Sequence, residues 1–235
     1  MLFRSAPDIR ARACNGLGFV AAEQQQWAEA ARWRRQALDM PGAAPETRAA
    51  ACSGLGYVAN RQQQWAEAAR WYRRALDTPG AAPDTRARAC HGLGYVAYAQ
   101  KNFLEARQHY SRAIELQPAN AIASIAYRNR GLTWAAENPP DYERALADAR
   151  RALELDPAFE DARRDVERYE QALKQQQLNP AFLYEQALKR ALEYALWDVV
   201  LNRTLEDARR DVERSEQASK RRKRNRPNRK RNQGR

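Results

Sequence analysis

The side chains that carry chemistry in most proteins are scarce here and regularly placed. Two histidines, His91 and His109, and three cysteines, Cys14, Cys52 and Cys90, are all the imidazoles and thiols among the 235 residues. The thiols recur every 38 residues, at one position of a repeated block. A tetrahedral zinc site draws on paired ligands at short spacing, which this pattern lacks. A disulfide needs Cα atoms within about 7 Å, and equivalent points of stacked repeats lie farther apart. The thiols therefore read as small buried apolar groups, suited to a reducing compartment. No motif ties either histidine to a carboxylate, thiol or hydroxyl. The Gly-rich phosphate loop is absent, and Gly16-x-Gly18 recurs with the block inside a helical pattern, where close helix packing explains it. These residues predict no enzyme, no metal and no cofactor.

The elements that position them follow from the repeat. Residues 7–44 match 45–82 at 28 of 38 positions, a third copy spans 83–118, and a looser fourth spans 119–157. Leu17, Leu55 and Leu93 recur in step, as do Trp27, Trp65 and Phe103, and Pro41 and Pro79. A fixed period of this length marks a solenoid, in which each unit buries its apolar face only against its neighbours. Within copy one the apolar spacing is helical twice, first through Cys14, Leu17 and Ala21, then through Trp27, Ala30, Ala31, Arg34, Ala37 and Leu38, with Arg34 on the same face as the apolar residues. Pro41-Gly42 and Pro79-Gly80 end the second helices, because Pro cannot continue the bond ladder and Gly accepts a left-handed cap. Pro7-Asp8, Pro45-Glu46 and Pro83-Asp84 open the first helices, where a carboxylate complements the helix dipole. Each unit is predicted to be a helical hairpin.

Leu17-Gly18, then Trp27, Ala30, Ala37 and Pro41, resembles the tetratricopeptide repeat. Copy three fits best, with Leu93-Gly94, Phe103, Ala106, Tyr110, Ala113 and Pro118; copy four reads Tyr127, Gly131, Trp134, Tyr142, Ala145, Ala152 and Pro157. The resemblance implies an all-α fold, a right-handed α-solenoid of antiparallel helical hairpins. Two departures are visible. The period is 38 residues, lengthened by Gly-Ala-Ala-Pro between units, and the aromatic frequent near the end of the family's first helix is replaced by Ala21, Ala59 and Ala97.

Comparing the near-copies with each other locates a candidate surface. On the first helix they differ at Arg12/Ala50/Arg88, Asn15/Ser53/His91, Phe19/Tyr57, Ala22/Asn60/Tyr98 and Glu23/Arg61/Ala99, and Tyr95 follows Tyr57. At 100° per residue these positions share one arc. In proteins resembling this family that face lines a concave groove where peptides bind. An exposed face drifts freely after duplication, which is one reading. The other is a recognition surface, since the face collects Phe19, Tyr57, Tyr95 and Tyr98 together with Arg12, Asn15, Ser53, Asn60, Arg61, Arg88 and His91, and aromatics among Arg and Asn are the composition of interfaces. A register displaced by two residues would instead place Phe19, Tyr57 and Tyr95 in the inter-helix core. Asn15 and Phe19 stand where some relatives carry the Lys and Asn of a carboxylate clamp, so a receptor of that type is disfavoured and a partly aromatic ligand with acidic groups fits better.

Residues 158–219 are expected to be further helices, with a wide apolar stripe over Phe182, Leu183, Leu188, Leu192, Leu196 and Val199 capping the solenoid. The stretch 160–174 recurs at 206–220 with 13 of 15 positions kept, and Tyr169 and Leu173 become Ser215 and Ser219. The net charge of +12 comes mainly from the end of the chain, where 220–235 holds ten Lys or Arg and no acid. Lys220, Arg221, Arg222, Lys223, Arg224, Arg226, Arg229, Lys230 and Arg231 form a like-charge block that should be disordered and would attract phosphate backbones without reading sequence. The opening Met1-Leu2-Phe3-Arg4 reads as too short for a signal peptide, and no apolar run reaches the length of a membrane span, so a cytoplasmic protein is expected. The function expected is a scaffold or adaptor for a peptide segment or partner protein. The alternative is a nucleic-acid- or ribosome-associated adaptor acting through the tail, and an uncovered first repeat would allow a homo-oligomer.

Overall fold

A computed structural model describes residues 7–179 and the positions 181, 184, 188–190, 192, 196, 197, 203, 210 and 214. Nine helices follow in order among the described residues: α1 (Pro7–Glu23), α2 (Trp27–Asp39), α3 (Pro45–Arg61), α4 (Trp65–Leu76), α5 (Pro83–Ala99), α6 (Phe103–Glu115), α7 (Asn120–Ala135), α8 (Tyr142–Leu155) and α9 (Glu160–Leu178). They begin and end where the repeat places them. Pro45 and Pro83 occupy first-turn positions, where no intrahelical amide is lost. Gly42 and Gly80 both take φ +79° in the connections between repeats, a conformation that costs glycine least. Inside each hairpin the turn instead forces Gln25, Gln63 and Lys101 to φ near +60°. There the amide of the next residue reaches back to close the first helix, as in Gln26 N to Ala21 O at 2.9 Å.

The chain divides into two compact units, 1–174 and 175–235. In the first, each first helix pairs with its own second helix, the second helix packs on the next first helix, and successive first helices α1, α3, α5 and α7 adjoin one another. The contact layer is built of alanine. Ala30, Ala37, Ala49, Ala51, Ala68, Ala75, Ala87, Ala89, Ala106 and Ala113 are all fully buried, and small side chains let the backbones approach closely. The largest enclosed side chains in the unit are Tyr110 and Tyr169. Cys14, Cys52 and Cys90 are buried free thiols, and burial pushes Cys52 and Cys90 above the ordinary thiol range, which keeps them unreactive.

The acid that opens each first helix does more than meet its own dipole. The Asp8 carboxylate accepts from the Ala44 amide at 2.8 Å and the Thr47 hydroxyl at 2.6 Å, at the start of the next repeat. Glu46 repeats this with Ala82 and Thr85, and Asp84 reaches the Ala119 amide at 2.9 Å. These bonds hold the Asp8 carboxyl below the usual carboxylate range. Farther along, Arg130 forks onto buried Asp148 at 2.6 and 2.8 Å, locking α7 to α8, and Tyr169 of α9 packs on Ala145, Leu146 and Ala149.

In the second unit, the described positions of the expected apolar stripe, Leu188, Leu192 and Leu196, are exposed. Phe182, Leu183, Val199 and the basic block 220–235 lie outside the described residues.

Candidate functional site

The adjoining first helices line a groove of about 910 Å³. Phe19, Ser53, Tyr57, Asn60, Arg61, Arg88, His91 and Tyr95, all nominated by divergence between copies, border it together. Phe19, Tyr57 and Tyr95 are 58, 39 and 43% exposed, so they point outward and do not fill the inter-helix core. Each tyrosine leans on the opening tryptophan of the preceding second helix: Tyr57 lies 6.4 Å from Trp27 and Tyr95 lies 6.5 Å from Trp65, centroid to centroid. Those contacts hold the rings upright at low entropic cost.

Arg12, Asn15 and Tyr98 stand apart from this lining. Arg12 is exposed beside Asp8. Asn15 spends its amide on the Thr47 carbonyl at 2.9 Å, tying α1 to α3. Tyr98 sits at the end of α5 and packs 5.7 Å from Phe103, beside Ala97, Ala106 and Tyr110. Its equivalents Ala22 and Asn60 border the groove, but the Tyr98 ring packs on Phe103 of its own second helix.

Several groove residues escaped the comparison of copies. Ile125, Arg128 and Asn129 of α7 extend the wall, and aligning copy four one residue short of the 38-residue period would have nominated them. Arg128 is neutralised by Asp165 at 2.8 Å. The Asn129 amide meets His91 Nε2 at 2.7 Å, and the His91 ring lies 5.4 Å from that of Tyr110. Burial pushes the His91 pKa down to about 4, so the ring is neutral at physiological pH and serves as a hydrogen-bonding wall.

The floor comes from second helices. Arg34 of α2 and Tyr72 of α4 are equivalent residues, and both line the groove. Each side chain runs through a slot left by two glycines. A Cβ on Gly18 or Gly54 would come within 2.9 or 2.1 Å of Arg34, and one on Gly56 or Gly92 within 2.7 or 2.2 Å of Tyr72. The Arg34/Tyr72 difference was visible in the sequence, on the helix that the comparison of first helices left aside. Among the described residues no cluster of His, Cys, Asp and Glu could hold a metal ion, and no helix is long and apolar enough to cross a membrane.

Residues 87–120 match the family model for the tetratricopeptide repeat. No curated protein sequence matches the chain. Among solved structures, PilF of Pseudomonas aeruginosa superposes with a TM-score of 0.61 at 21% identity, over 73% of this chain and 72% of that one. BtubC (BKLC) of P. vanneervenii gives 0.61 at 18%, over 79% and 81%. A chain of the APC/C Cut9–Hcn1 hetero-tetramer gives 0.57 at 14%, over 68% of this chain and 29% of that one. At such identities the likeness is one of fold.

Proposed function

We propose that this chain, an α-solenoid of helical hairpins of which residues 87–120 match the tetratricopeptide repeat, is a non-enzymatic scaffold whose concave groove holds a peptide segment or partner protein. One observation carries the reading. The face on which near-identical copies diverge is also a continuous groove of about 910 Å³ bordered by exposed aromatics, amides and cations. Tyr57 and Tyr95 supply rigid contact area, and Asn60, Arg61 and Arg88 stand beside them to orient the ligand. Within the first unit, α9 is read as the cover of the last hairpin, through Tyr169 on α8, and the compartment is read as the cytoplasm. The test is affinity capture with the intact chain, partners identified by mass spectrometry, against Tyr57→Ala combined with Tyr95→Ala. The pair should lose the captured set while far-UV circular dichroism stays unchanged. Undiminished capture refutes the groove.

Two further readings rest on separate observations. The ten cations at 220–235 favour contact with nucleic acid or ribosomes, and removing them should abolish a steeply salt-dependent binding to mixed RNA. The outer face of α1 favours pairing between copies. Leu17 and Val20 are 47 and 51% exposed, whereas their equivalents Leu55, Leu93, Val58 and Val96 are at most 5% exposed under the preceding repeat. Sedimentation of the chain and its Leu17→Lys variant across concentrations decides that one.

A further inference from the structure

Repeat one departs from its neighbours in the glycine slot. Tyr72 and Tyr110 are the slot's occupants in repeats two and three, both buried against glycines. In repeat one the occupant is Arg34, a cation in a channel built for a ring. Its Nε is buried without a hydrogen-bond partner, and none of the ion pairs or side-chain hydrogen bonds among the described residues satisfies its guanidinium. Desolvation lowers its pKa. Arg34 is half-buried, with its Nε the enclosed and unmet donor, and leaving such a donor unpaired is unfavourable, so a group that brings an acceptor into the groove is favoured.

The surroundings say what kind of group fits. Arg34, Arg61, Arg88 and Arg128 border the groove against one acid, Glu23. Arg128 is already matched by Asp165, and Arg61 lies over the Trp27 ring at 5.6 Å. The net field in the groove is positive. On the same wall the Asn60 amide lies beside the Tyr72 phenol, and its buried Oδ1 makes no hydrogen bond. A ligand answering both offers an anionic acceptor and an N–H donor. An acidic residue within a peptide supplies the two together, through its carboxylate and a backbone amide, whereas a phosphodiester backbone has no N–H. The groove continues past Arg34 on both sides, to Phe19 in one direction and to Tyr57 and Tyr95 in the other. The carboxylate is therefore that of an Asp or Glu side chain with aromatic neighbours, since a chain terminus would leave one side empty.

Resting on the groove reading above, we infer that Arg34 is the charge anchor of the site and takes an Asp or Glu side chain of the bound segment, with Asn60 Oδ1 accepting a backbone N–H beside it. The repeat itself supplies the control variant. Arg34→Tyr installs the residue that repeat two carries between its two glycines, so the fold is retained, and unchanged melting verifies this.

The probe is a fluorescein-labelled peptide of three alternating Tyr-Glu pairs, capped at both ends, compared with its Tyr-Gln twin by fluorescence anisotropy on the full chain. A charge-assisted hydrogen bond predicts that the wild type prefers the Glu peptide by about tenfold or more. Arg34→Tyr should erase that preference, and Arg34→Lys should keep part of it. The ¹⁵Nε–H resonance of Arg34 should shift on adding the Glu peptide and stay in place with the Gln twin. Equal binding of the two peptides to the wild type overturns the anchor and leaves the groove standing. Binding of neither peptide, in the wild type or in any Arg34 variant, overturns both. A preference that appears only for a Tyr-Gln peptide with a free C-terminus, or Arg34-dependent binding of oligouridylate alone, reassigns the slot to a terminal carboxylate or a phosphate and overturns the inference.

Discussion

Gly16, Gly54 and Gly92 are one position in three successive repeats, and alanine placed at each should give three different outcomes. At Gly16 a new Cβ meets nothing within 4 Å. The substitution then acts through helix propensity alone and should stabilise by about 0.5–1 kcal/mol. At Gly92 the Cβ would stand 2.2 Å from Cζ of Tyr72, and the ring cannot retreat because a Cβ at Gly56, on its other side, would also fall within 2.7 Å of it. Carbon atoms pack at about 3.5–4.0 Å, so ring or helix must shift. Overpacking of this kind costs about 1–3 kcal/mol, against a propensity gain of about 1 kcal/mol. The expected net is a loss of about 1–2 kcal/mol. Gly54→Ala meets the mobile end of Arg34 at 2.1 Å, and that end can swing into the groove, so the change should stay within about 0.5 kcal/mol of zero. Urea unfolding followed by far-UV circular dichroism measures all three, with constant m-values required. The sum of Gly92→Ala and Tyr72→Ala should exceed the double variant by at least about 1 kcal/mol, because removing the ring removes the clash. If Gly92→Ala raises the midpoint as Gly16→Ala does, the Tyr72 ring is not in the slot and the account of the groove floor is wrong.

Two more outcomes are expected. His91 titrates at about 4 in the folded chain and at 6.5 when unfolded, so between those values the unfolded state binds the extra proton and stability falls as pH drops. Melting at pH 7 and 4.5 should show the wild type losing roughly 1–3 kcal/mol more than His91→Ser, the residue that repeat two carries. Asp148→Ala strands Arg130 in the α7–α8 contact and should cost about 3 kcal/mol or more. A loss under about 1 kcal/mol in a urea titration would mean that water replaces the pair.

The number of hairpins, their ends and the arc on which α1, α3 and α5 diverge were all legible without coordinates. The hairpin ends are encoded in neighbours within about four residues of one another, where proline, glycine and apolar spacing act directly, and the arc in the comparison of copies 38 residues apart. Asp8 was legible as a helix-opening acid, but not as the partner of Ala44 and Thr47, because that contact exists only once one repeat is laid on the next. Tyr98 shared the groove's arc, but its ring packs on Phe103 of the following helix. Arg34 was the residue hardest to read. On α2 it falls in the rhythm of Trp27, Ala30, Ala31, Ala37 and Leu38, but only the stacking of α1 and α3 brings Gly18 and Gly54 to either side of it. Local periodicity decides what each segment is. Which side chains end up facing one another across repeats is decided by how closely the alanine-lined helices approach, a property of the stack that no single segment contains.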